Sequence, residues 1–249
     1  MSKHVELIPK FEAEQVFGFH QEEEPDSPRF AENGNGYGQQ RWATEEASRL
    51  VQQIFLLQNQ EPPRVVVFAG IDHGNGCSQI CASVAESLAQ NTGKPVCLVE
   101  ANFRSPGLPE LFGMTNHYGL TDALLGDDPI RSFTKPAVTH ENLWLLSSGA
   151  LAADSPSLLA STQLRDRLAE LRKEFDFVII DAPPLTRYSD AVGIGQLSDG
   201  LVLIVEAGST RREAAASVAA SLRSSQVPIL AAVLNKRTFP IPNKIYRRL

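Results

Sequence analysis

Six short apolar runs punctuate the chain: "RVVVFAG" (64–70), "PVCLVEA" (95–101), "NLWLLSS" (142–148), "FDFVIIDAPP" (175–184), "DGLVLIVEAG" (199–208) and "PILAAVLN" (228–235). Each is apolar almost throughout, not merely on every second residue, which suits strands buried on both faces of a parallel sheet. Helical stretches separate them, one from Ser78, others over 160–173 and 211–224. Strand and helix in alternation imply an α/β fold, a mostly parallel β-sheet with helices on both faces. Right-handed crossovers then gather the carboxyl ends of the strands along one edge, where such sheets bind ligands.

The residues outside this pattern mark the domain limits. Residues 1–42 include "HQEEEPDSPRFAENGNGYGQQ", with little apolar surface to bury, and are expected to form a mobile acidic and polar arm. From residue 43, Ala47, Leu50, Val51, Ile54 and Phe55 recur at helical spacing, with Thr44 placed to cap the helix. The domain is expected to span 43–235, followed by a basic tail, 236–249, with Lys236, Arg237, Lys244, Arg247 and Arg248. Overall, 23 basic and 29 acidic residues give a net charge of -6, which argues against a nucleic-acid partner. The three cysteines, Cys77, Cys81 and Cys97, lack the number and spacing of a disulfide framework, and no apolar run reaches membrane-spanning length. A cytoplasmic protein is expected, one that reaches the inner face of a membrane only through a partner.

The first apolar run leads into "AGIDHGNGCSQIC". A strand, a glycine loop and a helix start are the parts of a phosphate-binding loop, whose pattern is G-x-x-x-x-G-K-[ST]. Gly70, Gly74 and Gly76 let the backbone curl so that N–H groups converge, and the helix beginning near Ser78 adds the positive end of its dipole. Ser78 stands where a hydroxyl binds Mg²⁺, but Cys77 replaces the lysine that meets the β- and γ-phosphates. A lost charge-assisted hydrogen bond is worth about 1.5–3 kcal/mol, or roughly 10- to 150-fold in affinity. A cation at the transition state of phosphoryl transfer is worth about 10³–10⁵ in rate, so catalysis suffers more than binding. Glu100 ends the second run and Asp181 the fourth, the places of carboxylates that bind Mg²⁺ directly or through water. The bland alternatives are a glycine turn without a ligand and carboxylates that merely cap turns.

From about residue 44 to the end, the sequence resembles the bacterial tyrosine kinases of capsule and exopolysaccharide synthesis. These belong to the deviant Walker A group of P-loop NTPases that includes the MinD and ParA ATPases. The family's Walker A motif, P-G-E-G-K-[ST], is matched at Gly74, Gly76 and Ser78 and departed from at His73 and Cys77. Its D-x-D-x-R-x-P motif is met by Glu100, Asn102, Arg104 and Pro106, and its Walker B motif is intact from Ile179 to Pro184. "GLTDALLG" and "DSPSLLAST" correspond to further landmarks. The helix near residue 46 resembles an oligomerisation segment, matched at Glu46 and Arg49, with Gln52 in place of its second arginine. Relatives end in a tyrosine cluster, of which this tail has only Tyr246.

The resemblance implies a nucleotide site of Gly74, Asn75, Gly76, Cys77, Ser78, Gln79 and Asn235, the last where relatives contact adenine. It implies Mg²⁺ held by Ser78, Asp181 and Glu100, the two acids carrying any residual catalysis. With the lysine gone, Mg-ATP or ADP is expected to bind weakly, and no tightly bound metal is expected. A regulatory or scaffolding pseudokinase follows as the leading reading. Its expected partners are a membrane polysaccharide co-polymerase or adaptor and other copies of itself. An active kinase or ATPase in which Arg104, Arg211, Arg212 or a partner's cation replaces the lysine stays open. So does a ParA- or MinD-like nucleotide switch, though Asp72 stands where that group has an extra lysine. His73, Cys77 and Cys81 sit four apart, but His73 lies in the loop and zinc commonly takes four ligands, so packing is the expected role of Cys81. Cys77, at a helix N-terminus, is expected to be the more reactive thiol.

Overall fold

The structure is a computed structural model that describes residues 4–9, 45–57, 61–138, 140–150 and 155–237. In chain order its elements are β1 (His4–Pro9), α1 (45–51, continued by a π turn, Gln52–Leu56), β2 (Val65–Gly70), α2 (Cys77–Thr92) and β3 (Val96–Glu100). Two short helices, α3 (Leu108–Leu111) and α4 (Leu120–Leu125), precede β4 (Lys135–Pro136) and β5 (Leu143–Leu146). Then come α5 (Thr162–Glu174), β6 (Phe177–Ala182), α6 (Asp190–Gly195), β7 (Gly200–Glu206), α7 (Arg212–Ser224) and β8 (Ile229–Arg237). All six apolar runs are strands, as their composition requires.

The strands form one sheet in the order β1-β8-β7-β2-β6-β3-β5-β4. The six inner strands are parallel, and β1 and β4 pair antiparallel at the two edges. Alternation along β2 shows why both faces are covered. Val65, Val67 and Ala69 join the core against α4 to α7, whereas Val66 and Phe68 join the core against α1 and α2. Ala47, Leu50, Val51, Ile54 and Phe55, the apolar positions expected of the first helix, are all buried. Among the described residues no helix is long and apolar enough to cross a membrane.

The arm expected over 1–42 differs at its start, because residues 4–9 pair with β8 from His4↔Arg237 to Pro9↔Ala231. Its polar stretch from residue 20 onward dominated the composition, while the Val-Glu-Leu-Ile run ahead of it has strand propensity and β8 offers an unpaired edge. Likewise β8 continues through Arg237, so the first two residues of the expected tail belong to the sheet. The rest of the arm, Thr44, residues 238–249 and Tyr246 with them lie outside the described residues.

At the end of the sheet away from the glycine loop, Asp199 ties three elements together. It accepts N–H bonds from Arg64 (2.7 Å) and Val65 (2.8 Å) at the start of β2 and pairs with Arg172 of α5 (2.7 Å). Partial burial raises its pKa, but the Arg172 bond and the two N–H bonds outweigh burial and hold it below the usual carboxylate range. A lowered folded pKa means stabilisation that is complete above the unfolded pKa of about 3.9 and is lost as pH falls through the folded value. Asp199→Ala is therefore expected to lower unfolding free energy by about 1–3 kcal/mol at pH 7, with the deficit shrinking in acid below that range. Urea titrations of both proteins at the two pH values check this.

Candidate functional site

The loop between β2 and α2 is braced from three sides. Ile71 N–H bonds the Ile204 carbonyl of β7 (3.0 Å), and the N–H groups of Leu185 and Thr186 bond the carbonyls of Gly70 and Ile71 (3.0 Å each). Asn75 is buried and donates to the Ile204 carbonyl and to Thr210 Oγ1, both at 3.4 Å. Gly74 and Gly76 have φ of +84° and +82°, backbone that few other residues adopt without strain. A Cβ on Gly76 would also stand 2.6 Å from Asn235 Nδ2. No side chain caps α2, whose first turn must leave N–H groups without helical partners. Among the described residues Asn75 Oδ1 is the only buried side-chain polar atom without a hydrogen bond. Left-handed glycines ahead of an uncapped helix start are the local features that suit a phosphate.

The carboxylates meet because of strand register. Glu100 and Asp181 are Cα partners on parallel neighbours β3 and β6, and Asp181 is also the partner of Phe68 on β2. Register partners point to the same face, here the face packed by α2. Both residues are fully buried. Glu100 Oε2 accepts N–H bonds from Gly107 and Leu108 (2.8 Å each), and Oε1 accepts one from Asn102 (3.3 Å). Burial and the charge of Asp181 nevertheless push Glu100 up to about 8, those three bonds opposing. Burial also raises Asp181, against hydrogen bonds from Ser78, Cys77 and Cys81. Two such acids cannot both ionise in a dry pocket without a cation, and Ser78, Asp181 and Glu100 are the oxygen donors there that could hold Mg²⁺. Ser78 Oγ is hydrogen-bonded to Asp181 Oδ2.

What the pocket lacks is a monovalent cation at the lysine position. The half-buried Cys77 thiol lies 4.0 Å from Cys81 Sγ. The Cys81 hydrogen bond favours its thiolate, but burial and the acids Asp181 and Glu100 prevail and push Cys77 up to about 12. The reactive thiol expected from a helix N-terminus is thus corrected: nearby buried carboxylates outweigh the helix dipole. His73 is exposed in the loop and Gln79 is exposed on α2.

Two residues draw notice beyond the sequence expectations. Asn235, expected near adenine, donates from Nδ2 to the Asn75 carbonyl (2.6 Å) and so closes β8 onto the loop. Its neighbour Lys236, assigned to the basic tail, has a φ of +60° and bonds the Gly74 carbonyl (2.6 Å) and Glu206 (3.1 Å) through Nζ. Its only signal in the sequence was its place directly after Asn235. Arg104, one of the cations considered as a substitute, is held by Asp190 (3.3 Å) and lies over the Tyr188 ring. Arg211 is exposed at the start of α7.

Because Glu100 has a higher pKa folded than unfolded, its protonation favours the fold. That contribution is complete below the unfolded pKa of about 4.3 and is lost as pH rises through about 8. In metal-free protein the urea midpoint is expected to fall between pH 5 and pH 8, a loss on the order of 1 kcal/mol or more. The slope should flatten in Glu100→Gln.

No family model matches the chain. It is 32% identical over 162 residues to the tyrosine-protein kinase YwqD of Bacillus subtilis, covering 65% of this chain and 68% of that protein. It is 29% identical over 176 residues to the succinoglycan biosynthesis transport protein ExoP of Rhizobium meliloti, covering 70% of this chain and 22% of that longer one. Among solved structures, the VpsO kinase domain superposes with a TM-score of 0.72 at 24% identity, over 82% of this chain and all of that one. The septum site-determining protein MinD of Pyrococcus horikoshii, complexed with Mg-ADP, superposes at 0.58 with 20% identity, over 68% of each chain. The sheet order and the glycine loop are those of a P-loop NTPase fold, and with these likenesses the chain belongs to the bacterial tyrosine kinase family.

Proposed function

We propose that this chain is a pseudokinase: a P-loop protein that binds Mg-ATP or ADP weakly and acts by binding partners in exopolysaccharide assembly or export. The observation that carries this reading is that Cys77, a thiol beside Cys81, stands at the lysine position. An amide cradle and a Mg²⁺ donor set remain to hold a nucleotide, with Gly74, Asn75, Gly76, Ser78 and Gln79 around the phosphates. The charge that would stabilise the transferring phosphoryl group is gone, which takes away about 10³–10⁵ in rate. Asn102, where the motif has a second aspartate, uses its side chain to accept the Ser105 N–H (3.2 Å) and shapes the turn.

ExoP, a transport protein in succinoglycan biosynthesis by name, supports a polysaccharide co-polymerase or its adaptor as the partner. Self-association draws support from α1, where Glu46 pairs with Arg49 (3.4 Å) and Leu56 and Leu57 are exposed just beyond. Through such a partner the chain would sit at the inner face of the membrane.

A second reading, an active kinase with a compensated site, draws on Lys236, an ammonium fixed to the loop backbone at Gly74. It requires phosphate release above background that disappears in both Asp181→Ala and Lys236→Ala.

Calorimetric titration of Mg-ATP into the chain and into Cys77→Lys separates the two. On the pseudokinase reading, the restored lysine raises affinity about tenfold or more, and the unaltered chain transfers no phosphate from γ-labelled ATP to tyrosine. Autophosphorylation of the unaltered chain at a rate matching lysine-containing relatives would refute it.

A further inference from the structure

The pocket holds two sulfur donors that Mg²⁺ and nucleotide do not use. Cys77 and Cys81 are four apart on α2, one turn of helix, and so share a face. That face meets the end of β6, where Cys81 Sγ lies 3.8 Å from Asp181 Oδ1. The two sulfurs are 4.0 Å apart, and the Cys77, Cys81 and Asp181 donor atoms all lie within 4.8 Å of one another. A zinc ion with bonds of about 2.3 Å to sulfur and 2.0 Å to oxygen has tetrahedral edges of roughly 3.7 Å between sulfurs and 3.5 Å from sulfur to oxygen. The Cys77–Cys81 and Cys81–Asp181 separations exceed those edges by only about 0.3 Å, and Cys77 and Asp181 lie within 4.8 Å of one another. Small side-chain rotations close that difference.

We propose that Cys77, Cys81 and Asp181 form a binding site for a thiophilic divalent metal, zinc, at the position where other P-loops carry their lysine. Ser78 supports it: by donating to Asp181 Oδ2, it leaves Oδ1, the oxygen facing Cys81, for the metal. Hydrogen-bonded partners of this kind orient metal-binding carboxylates. Cys77 is half-buried, so water can reach the fourth position. As each zinc–sulfur bond forms, its thiol proton leaves to solvent, and no electron is transferred. His73, the third ligand that spacing alone suggests, is exposed and stands outside the cluster.

The proposal does not depend on whether nucleotide binds, but it has a consequence for it. Two thiolates and a carboxylate outweigh the charge of one zinc ion, so the loaded site is anionic where a phosphate would need a cation. Zinc also takes Asp181 from the Mg²⁺ donor set. Metal and Mg-ATP should therefore exclude one another.

The test is zinc titration of the reduced full chain against a chromophoric chelator, with elemental analysis of the product. One zinc per chain is expected, with release of protons. Loss of an outer-shell partner already weakens zinc about 10- to 100-fold, so Cys77→Ser and Cys81→Ser should each weaken it by roughly 100-fold or more, and Ser78→Ala by about tenfold. Cys97→Ser, buried in the opposite core, should leave affinity unchanged. Cobalt in place of zinc should show thiolate-to-metal charge transfer and the visible bands of tetrahedral geometry, both lost in Cys77→Ser. Since Cys81 and Asp181 are both fully buried, circular dichroism confirms that Cys81→Ser and Asp181→Asn are folded, and the half-buried Cys77→Ser carries the decisive comparison. Zinc uptake that survives Cys77→Ser unchanged, or cobalt spectra without charge transfer, would overturn the proposal, as would the absence of uptake by the reduced chain. With the Mg-ATP calorimetry run on metal-free protein, the zinc titration and the nucleotide titration are independent, so the metal site and the pseudokinase reading fail separately.

Discussion

Two carboxylic acids that a parallel register places side by side in a dry pocket set the conditions for everything around them. Glu100 and Asp181 are paired residues on β3 and β6 and face the first turns of α2. Buried like charges repel with little screening, so the pocket must take up either protons or a cation. In a P-loop with its lysine, one positive charge comes from the protein itself. Here the same helix position offers Cys77, whose thiol is kept protonated by burial and by the acids beside it.

The fold tolerates this change because the parts that hold the loop do not touch the lysine position. Asn75, Thr186, Thr210 and Asn235 lock the loop to β7, to the residues after β6 and to β8 through side-chain hydrogen bonds. Gly74 and Gly76 supply left-handed backbone. The shape of the loop therefore persists whether or not chemistry follows. Under the pseudokinase proposal, weak nucleotide binding without transfer follows from an amide-lined loop that has lost its fixed ammonium.

The same arithmetic of charge connects the pocket to a softer metal. Oxygen donors alone favour Mg²⁺, but two sulfurs beside Asp181 shift the preference toward zinc. Cys81, expected from its helical spacing to pack as a small apolar residue, does pack in the core with Val84 and Phe68. It also bonds Asp181, and that contact gives it a chemical role packing alone would not.

Much of the fold was legible in the sequence, because a strand buried on both faces leaves an uninterrupted apolar run and a helix leaves a 3.6-residue period. The glycine loop, the missing lysine, the Walker B acid Asp181 and the acid Glu100 were legible too, since loop chemistry depends on local residue order. What only the tertiary structure decided lies between residues far apart in the chain. Spacing suggested His73 as a companion to Cys77 and Cys81, whereas the register of β6 against β2 and β3 supplied Asp181. Arg104 was a free cation on paper and is tied to Asp190, while Lys236 looked like tail and is fixed to Gly74. Local sequence determines the backbone states open to each segment. Which side chains share one buried pocket, and so which charges they can keep, is settled only when strand register and helix packing bring them together.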